Sequence, residues 1–386
     1  MKIAIAMSGG VDSSVAAKIL KDDGHDLVGL FLKLWSDPAS TCDIQRENRC
    51  CNFEALEDAR MVAAKLKIPF YVINAKKEFK KKVVDYFLEE YKNLRTPNPC
   101  IVCNEKIKFD LLLKKALSIG CEKLATGHYA RIVENNSGNL KFKIKNLKLG
   151  NFHLLKGIDG TKDQSYMLYR LNQDQLGKII FPLRKMKKLA VRKLAVKWNL
   201  PVKEKPESQE ICFFADRDYR TFLQRYLGAK FFQSGDIIGV GGEVIGKHQG
   251  LVNYTVGQRK LVNNESRVIN HGDKNPLYVV GFNTDQNQLI VGEDKEVYKK
   301  EMTVGNVSWI DSGCHPEPIR QARGRLVAGS IKVKIRYRHP EMPCKVKKDG
   351  NKLVVKFQKP QRAITPGQSA VFYLGDEVIG GGVIEK

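Results

Sequence analysis

Lys2-Ile3-Ala4-Ile5-Ala6-Met7-Ser8-Gly9-Gly10-Val11-Asp12-Ser13-Ser14 is the stretch on which the fold of this chain turns. A short apolar run ends at two glycines, and Ser13–Lys21 follows with helical spacing, so the stretch reads as strand, tight loop and helix. Glycines let the backbone approach an anion closely, and the N–H groups of a helix N-terminus point toward it. Ser8, Ser13 and Ser14 add hydroxyls. The loop lacks a Walker-type lysine. A plain capped turn would use the same residues, so the two glycines alone leave both readings open.

Working outward, Leu27–Leu34, Phe70–Ile73 and Cys121–Thr126 read as strands, and Ala55–Leu66 and Glu78–Tyr91 as helices, with a polar insertion at Ser36–Asn52. Strands alternating with helices imply an α/β domain with a parallel sheet covered on both faces, binding ligands at the carboxyl ends of its strands. A hairpin is expected between Ile132 and Leu155, turning at Asn135-Asn136-Ser137-Gly138. Helices are expected again at Gln173–Ile180 and Lys187–Trp198. After about Asp216, Gly-rich turns separate short strand candidates: Ile237–Val240, Leu277–Val280, Leu289–Val291, Ile331–Tyr337, Leu353–Phe357 and Ala370–Tyr373. No helix of three turns or more is expected beyond about Gly228. The expected division is a Rossmann-like catalytic domain over 1–215, a small β-rich domain over 216–284 and a C-terminal β-barrel over 285–386.

The chain has 386 residues, 66 Lys plus Arg against 42 Asp plus Glu, and a formal charge of +24. Positive charge recurs at Lys76–Lys82, Lys141–Lys148, Arg184–Lys197 and Lys332–His339, mostly without compensating acids. That pattern points to a polyanionic partner, nucleic acid first. An anionic membrane surface is the weaker rival, because no basic amphipathic end segment offers an anchor. Hydrophobic residues make up 42%, enough to build cores, and no window approaches the roughly 18 apolar residues of a spanning helix. The N-terminus runs straight into the glycine loop without a signal-like segment, so a cytoplasmic location is expected.

Nine cysteines in a chain without a secretory signal suggest reactive or metal-binding thiols more than a disulfide framework. Thr96-Pro97-Asn98-Pro99-Cys100-Ile101-Val102-Cys103-Asn104 places two of them after a stiff loop, where a helix Asn104–Leu117 is expected to begin. A helix dipole there would lower a thiol pKa and favour a nucleophilic thiolate. A zinc half-site lacks its second Cys-x-x-Cys, and an inert pair remains the plain alternative. Cys212, in Ser208-Gln209-Glu210-Ile211-Cys212-Phe213, would by itself read as a buried small hydrophobe. Cys42, Cys50 and Cys51 read as loop residues more than as a chelate, and Cys121, Cys314 and Cys344 as packing residues.

Taken together, Ser8–Ser14, Thr96–Phe109, Thr126–Arg131, Lys162–Tyr166, Ser208–Phe213, Tyr254–Arg259 and Thr365–Ala370 carry a resemblance over essentially the full length. The chain resembles the tRNA-specific 2-thiouridylases, members of the pyrophosphate-loop ATP pyrophosphatase superfamily that sulfurate the wobble uridine at C2. The resemblance implies an adenine nucleotide hydrolase-like fold and ATP with Mg²⁺. It implies that Ala6, Met7, Ser8, Gly9, Gly10, Val11, Asp12, Ser13, Leu32 and Gly127 bind ATP. It implies Cys103 as nucleophile and Cys212 as the persulfide carrier, loaded by a sulfur-relay protein or cysteine desulfurase. Asn98, Pro99 and Cys100 fall where that family meets the target base of the anticodon loop. His128, Lys162, Asp163, Gln164, Arg336, Tyr337 and Gln368 fall where it touches tRNA, although His128 would otherwise read as a core histidine.

The implied chemistry is adenylation of the uridine O2 followed by sulfur transfer, with a Cys103–Cys212 disulfide left behind. The chain departs from the family pattern at Cys100, where many members carry Asp. A general acid at that position is therefore in doubt, since an ordinary thiol titrates near pH 8.5. Cys100, Cys103 and Cys212 together also raise a second route, a [4Fe-4S] cluster with an open iron. The remaining rivals are a ligase adenylating a small molecule and a tRNA-binding module without catalysis. The first leaves the cysteines and the charge unexplained, and the second leaves the loop idle.

Overall fold

The computed structural model describes residues 1–37, 53–134, 152–207, 211–213, 218–259, 276–311 and 331–386. Cys42, Cys50, Cys51, Cys314, the Lys141–Lys148 run, the expected turn at Asn135–Gly138 and Ser208–Glu210 lie outside the described residues.

Strand Lys2–Ala6 sends Ile3 and Ile5 into one apolar cluster and Ala4 into another on the opposite face. A strand buried on both faces requires cover on both. Helices Val11–Asp22, Phe53–Lys65 and Lys188–Lys197 supply one side, through Val15, Ala59 and Val191. Helical residues 99–118 supply the other, through Phe109, Leu112 and Ala116. The sheet runs Phe70–Asn74, Asp26–Lys33, Lys2–Ala6, Lys123–Ala125, Ile179–Ile180, parallel throughout. Its carboxyl ends therefore share one rim, and the glycine loop leaves the central strand at that rim.

Two expected helix boundaries are corrected. The expected helix Gln173–Ile180 stops at Leu176, and Ile179–Ile180 becomes an edge strand because its apolar pair finds Leu124 and Ala125 in parallel register. The helix expected from Asn104 begins at Pro99, since Asn98 caps it and proline presets φ for the first turn.

Strands Tyr278–Asn283, Gln288–Gly292, Gly235–Gly239 and Val244–His248 form a separate four-stranded sheet in that order. It extends past the boundary expected at residue 284, because Gln288–Gly292 pairs with strands on both sides. The C-terminal unit is a closed six-stranded antiparallel barrel. Its order is Tyr298–Trp309, Lys352–Arg362, Met342–Asp349, Ile331–Lys334, Ser369–Leu374, Glu377–Ile384, with the first and last strands paired. Closure removes the exposed edges.

The hairpin Ala130–Glu134 and Phe152–Lys156 belongs to the barrel's sheet as well, with Leu154 opposite Val378 and Leu155 opposite Glu377. Ion pairs from Arg131 to Asp376 at 2.9 Å and from Lys156 to Glu341 at 2.9 Å reinforce the join. The parallel-sheet domain and the barrel are thus joined through one hydrogen-bonded sheet. Among the described residues no helix is long and apolar enough to cross a membrane.

Candidate active site

The glycine loop is shaped by close approach. Gly9 has φ of 68°, and a Cβ there would lie 2.2 Å from the Ala55 carbonyl oxygen. Ser13 Oγ accepts the Ser8 N–H at 3.2 Å and donates to the Gly10 carbonyl at 3.1 Å, where Ser14 Oγ also donates at 2.9 Å. The hydroxyls of Ser13 and Ser14 therefore hold the loop's shape instead of serving as open donors. Gly10 caps the helix without a side-chain hydrogen bond. Gly127, just beyond strand Lys123–Ala125, packs against this turn; a Cβ on it would lie 2.8 Å from Ser13 N and 2.9 Å from Asp12 C. Val11 and Met7 are buried, while Ala6 and Leu32 are partly buried on the sheet face that carries Phe109.

Asp12 is the hub of a charged cluster. Both its carboxylate oxygens accept from Lys188 Nζ at 2.7 Å, and Tyr129 Oη donates to it at 2.6 Å. Burial, and then the negative charge of Asp12, push the Tyr129 phenol far up, so it stays a donor. Lys188 also faces Glu207 at 3.4 Å, and Glu207 accepts from Lys162 at 2.5 Å. The Lys162 hydrogen bond holds the Glu207 carboxyl below its ordinary range. Lys188 and Glu207 were not singled out from sequence. Lys188 lies inside the basic run Arg184–Lys197, where spacing cannot separate one buried lysine from exposed neighbours.

Helical residues 99–118 carry Cys100 and Cys103. Asn98 Oδ1 accepts the Cys100 N–H at 3.2 Å, and Pro99 is buried at the first helical position. Cys100 is exposed in the first turn, whereas Cys103 is buried. Directly after Cys103 the helix widens to π bonding over Asn104–Leu112, a geometry often found beside functional groups. Asn98 Nδ2 reaches Met167 Sδ at 3.5 Å and Asn104 Nδ2 donates to the Met167 carbonyl at 3.1 Å, so one residue braces the helix at two points.

Cys212 packs against the apolar cluster that contains Cys103. Its neighbour Phe213 is anchored among Phe79, Phe87 and Phe222, with ring centroids at 5.9, 5.2 and 5.6 Å. Truncating a buried phenylalanine costs about 3–5 kcal/mol, so the anchor fixes where Cys212 is presented. Both cysteines are thiols. Cys121 and Cys344 are buried packing residues, and burial pushes the Cys344 thiol up to about 12.

The residues assigned to tRNA by resemblance divide sharply. Asp163 is buried, with its carboxylate accepting from Gly157 N, Ser165 N and Ser165 Oγ. Gln164 Oε1 accepts the Tyr129 N–H at 2.9 Å. His128 is buried between Phe109 and Phe181, hydrogen-bonded to Thr126 Oγ1 at 2.7 Å, and burial lowers its pKa well below the ordinary value. Asp163 and His128 are buried and Gln164 is half-buried, and each side chain makes a hydrogen bond within the protein. Arg336 donates to the Ala363 carbonyl at 3.2 Å, and Tyr337 packs on Tyr166 at 6.0 Å. Burial first, and then the charge of Asp163, raise the Tyr337 pKa. Gln368 Nε2 donates to the Thr96 carbonyl at 2.8 Å, directly ahead of the cysteine loop.

Magnesium is usually held by one or two carboxylates plus substrate phosphates. Asp12, in the first turn of the helix that the loop opens, has a carboxylate of that kind, shared here by Lys188 and Tyr129. A cluster needs three converging thiolates, and no group of three His, Cys, Asp or Glu residues among those described is placed to hold a metal. As arranged, Cys100 is exposed, Cys103 buried and Cys212 half-buried, and the three thiols do not form such a group.

Comparison with known proteins is consistent along the chain. Residues 1–216 match the model described as "tRNA methyl transferase HUP domain", residues 220–293 its "PRC-barrel domain", and residues 299–384 an "Aminomethyltransferase beta-barrel domain". The chain is similar to the tRNA-specific 2-thiouridylase MnmA of Geobacter metallireducens, 44% identical over 100% of this chain and 96% of that one. The corresponding protein of Carboxydothermus hydrogenoformans is 43% identical over 100% and 98%, and that of Clostridioides difficile 41% over 100% and 98%.

Proposed function

The chain belongs to the tRNA-specific 2-thiouridylase family, a family of tRNA sulfurtransferases, and we propose that it works by adenylating uridine O2 and then transferring sulfur from a Cys212 persulfide. The observation that carries this reading is the shared apolar cluster of Cys103 and the Cys212–Phe213 segment, near the rim where the glycine loop lies. Two thiols held against one hydrophobic wall suit a relay in which water must be kept from a reactive sulfur.

In the first stage the uridine O2 attacks the α-phosphorus of ATP and pyrophosphate leaves. The N–H groups of the Gly9–Ser13 turn face the phosphates, and Gly127 keeps the turn closed. Bound Mg²⁺ would supply further charge neutralisation, with Asp12 as its protein ligand. In the second stage the terminal sulfur of the Cys212 persulfide attacks C2 and AMP departs with the former O2. The Cys103 thiolate then attacks Cys212 Sγ, breaking the S–S bond to the new thiocarbonyl and forming a Cys103–Cys212 disulfide. In a variant order Cys103 attacks first and liberates hydrosulfide, which adds to C2. Either order requires a sulfur-relay protein or cysteine desulfurase to load Cys212, and a thiol reductant to reset the pair.

The wobble base must leave its stack to reach the buried Cys103, which suits an anticodon loop. The charge of +24 supports broad phosphate contact and a salt-dependent affinity. The test is an assay of chelator-stripped protein with ATP, Mg²⁺, a persulfide donor and unmodified tRNA, following AMP and 2-thiouridine by mass spectrometry. Both products are expected. AMP without 2-thiouridine would reject the sulfur arm, and no AMP would reject adenylation.

A further inference from the structure

The glycine loop Ser8–Ser14 carries no lysine or arginine, yet a bound triphosphate adds several negative charges beside Asp12. We propose that Lys188, delivered from a separate helix, is the cation that binds the β-phosphate end of ATP and stabilises the departing pyrophosphate. The inference rests on the adenylation reading above.

Three features place Lys188 for this task. Its Nζ lies 2.7 Å from both oxygens of Asp12, a residue in the first turn of the helix that the loop opens. The side chain is only 10% exposed, so its charge acts with little screening by water. Its backbone is fixed as well: Lys188 N–H donates to Asp159 Oδ2 at 2.9 Å at the start of helix Lys188–Lys197.

A purely structural ion pair is the alternative. Asp12 has little need of one, because a carboxylate in the first turn of a helix is already favoured by the dipole, and Tyr129 donates to it too. Burying an ammonium costs several kcal/mol unless its partners are well placed, so a buried pair is weak evidence for stability alone. Poising a lysine against a carboxylate beside the phosphate loop keeps it neutralised in the absence of nucleotide. An arriving phosphate then competes for its three donors. The second partner, Glu207 at 3.4 Å, is too distant for a strong hydrogen bond and leaves a donor direction available.

The experiment compares wild-type protein and Lys188→Met for equilibrium binding of ATP, inorganic pyrophosphate and AMP. A lost charge-assisted hydrogen bond predicts ATP and pyrophosphate binding weaker by about 10- to 100-fold. AMP, which lacks the β-phosphate, should bind as before and reports that the site is folded. Unchanged ATP and pyrophosphate affinity in the variant overturns the proposal. If the variant loses AMP binding also, the decision passes to wild-type protein acetylated with and without pyrophosphate. Protection of Lys188 by pyrophosphate but not by AMP sustains the assignment, and equal labelling in all samples refutes it. Failure of the adenylation reading looks different: wild-type protein would then bind no ATP or release no AMP with tRNA.

Discussion

Gln368 Nε2 donates to the carbonyl oxygen of Thr96 at 2.8 Å, and the N–H of Thr96 donates to the Pro366 carbonyl at 2.8 Å. The residue two positions before Asn98 is thus bonded on both sides of its peptide unit to a barrel loop distant in sequence. Its hydroxyl meets Thr255 Oγ1 of the four-stranded unit at 3.0 Å, so Thr96 is tied to all three parts of the molecule. Gly367 makes the approach possible: its φ is 89°, and a Cβ there would lie 2.7 Å from Thr96 N. The cysteine loop is therefore positioned from the barrel.

Gln368→Ala tests whether that position matters to the chemistry. The substitution leaves a part-buried carbonyl without its donor, a loss of about 1–3 kcal/mol. Single-turnover thiolation should slow roughly tenfold, by the exponential dependence of rate on geometry, while tRNA affinity changes little. Filter binding alongside the rate measurement decides the matter. A residue that only touched tRNA would weaken binding and leave the rate at saturating tRNA intact.

Gly127→Ala acts on the other half of the site. The new methyl group would sit 2.8 Å from Ser13 N and 2.9 Å from Asp12 C, both backbone atoms that cannot rotate away. Overpacking of this kind costs about 1–3 kcal/mol and must displace the phosphate turn. ATP affinity should fall by about tenfold or more in equilibrium dialysis, with tRNA binding unaffected. Unchanged ATP affinity would separate Gly127 from the nucleotide site.

The parallel sheet was legible because Ile3, Ile5 and their counterparts sit in unbroken apolar runs between glycine punctuation. The barrel was legible only in part. Strands such as Tyr298–Trp309 and Met342–Asp349 alternate lysines and acids with apolar residues, and their identity comes from partners far along the chain. The same limit hid the joining of Phe152–Lys156 to Glu377–Ile384. At the site, the glycine loop and the cysteine loop were visible as strings, whereas Lys188 and Glu207 became visible only when three-dimensional packing brought them to Asp12. Asp163 and His128 show the converse: their burial and their internal hydrogen bonds were not visible in the strings, since sequence does not report which way a side chain faces.

The separation of roles among the cysteines gives a third prediction. Cys100 is exposed, whereas Cys103 is buried in the cluster that Cys212 joins. Cys100→Ser should retain 2-thiouridine formation within about threefold, a change below 1 kcal/mol. Cys103→Ser should abolish it while ATP binding persists. Mass spectrometry of digested tRNA measures both. Equal loss in the two variants, together with iron in the wild-type protein, would restore the three-thiolate arrangement.

His128 supplies a prediction in pH. Burial first, and then the charge of Lys108, lower its pKa well below the ordinary value near 6.5, so it is neutral in the fold and protonates readily only when unfolded. Above pH 6.5 both states are neutral and the group contributes no pH dependence. As pH falls below 6.5 the unfolded state takes up a proton that the folded state refuses, and stability drops by up to about 1.4 kcal/mol per pH unit. His128→Gln should remove that share of the slope in urea denaturation between about pH 5.5 and 7.5. Some slope must remain, because burial lowers His248 and His339 too. The same series with tRNA tests the surface alternative. A histidine cation on a phosphate would make wild-type binding strengthen in acid relative to the variant, whereas a buried neutral ring predicts parallel curves.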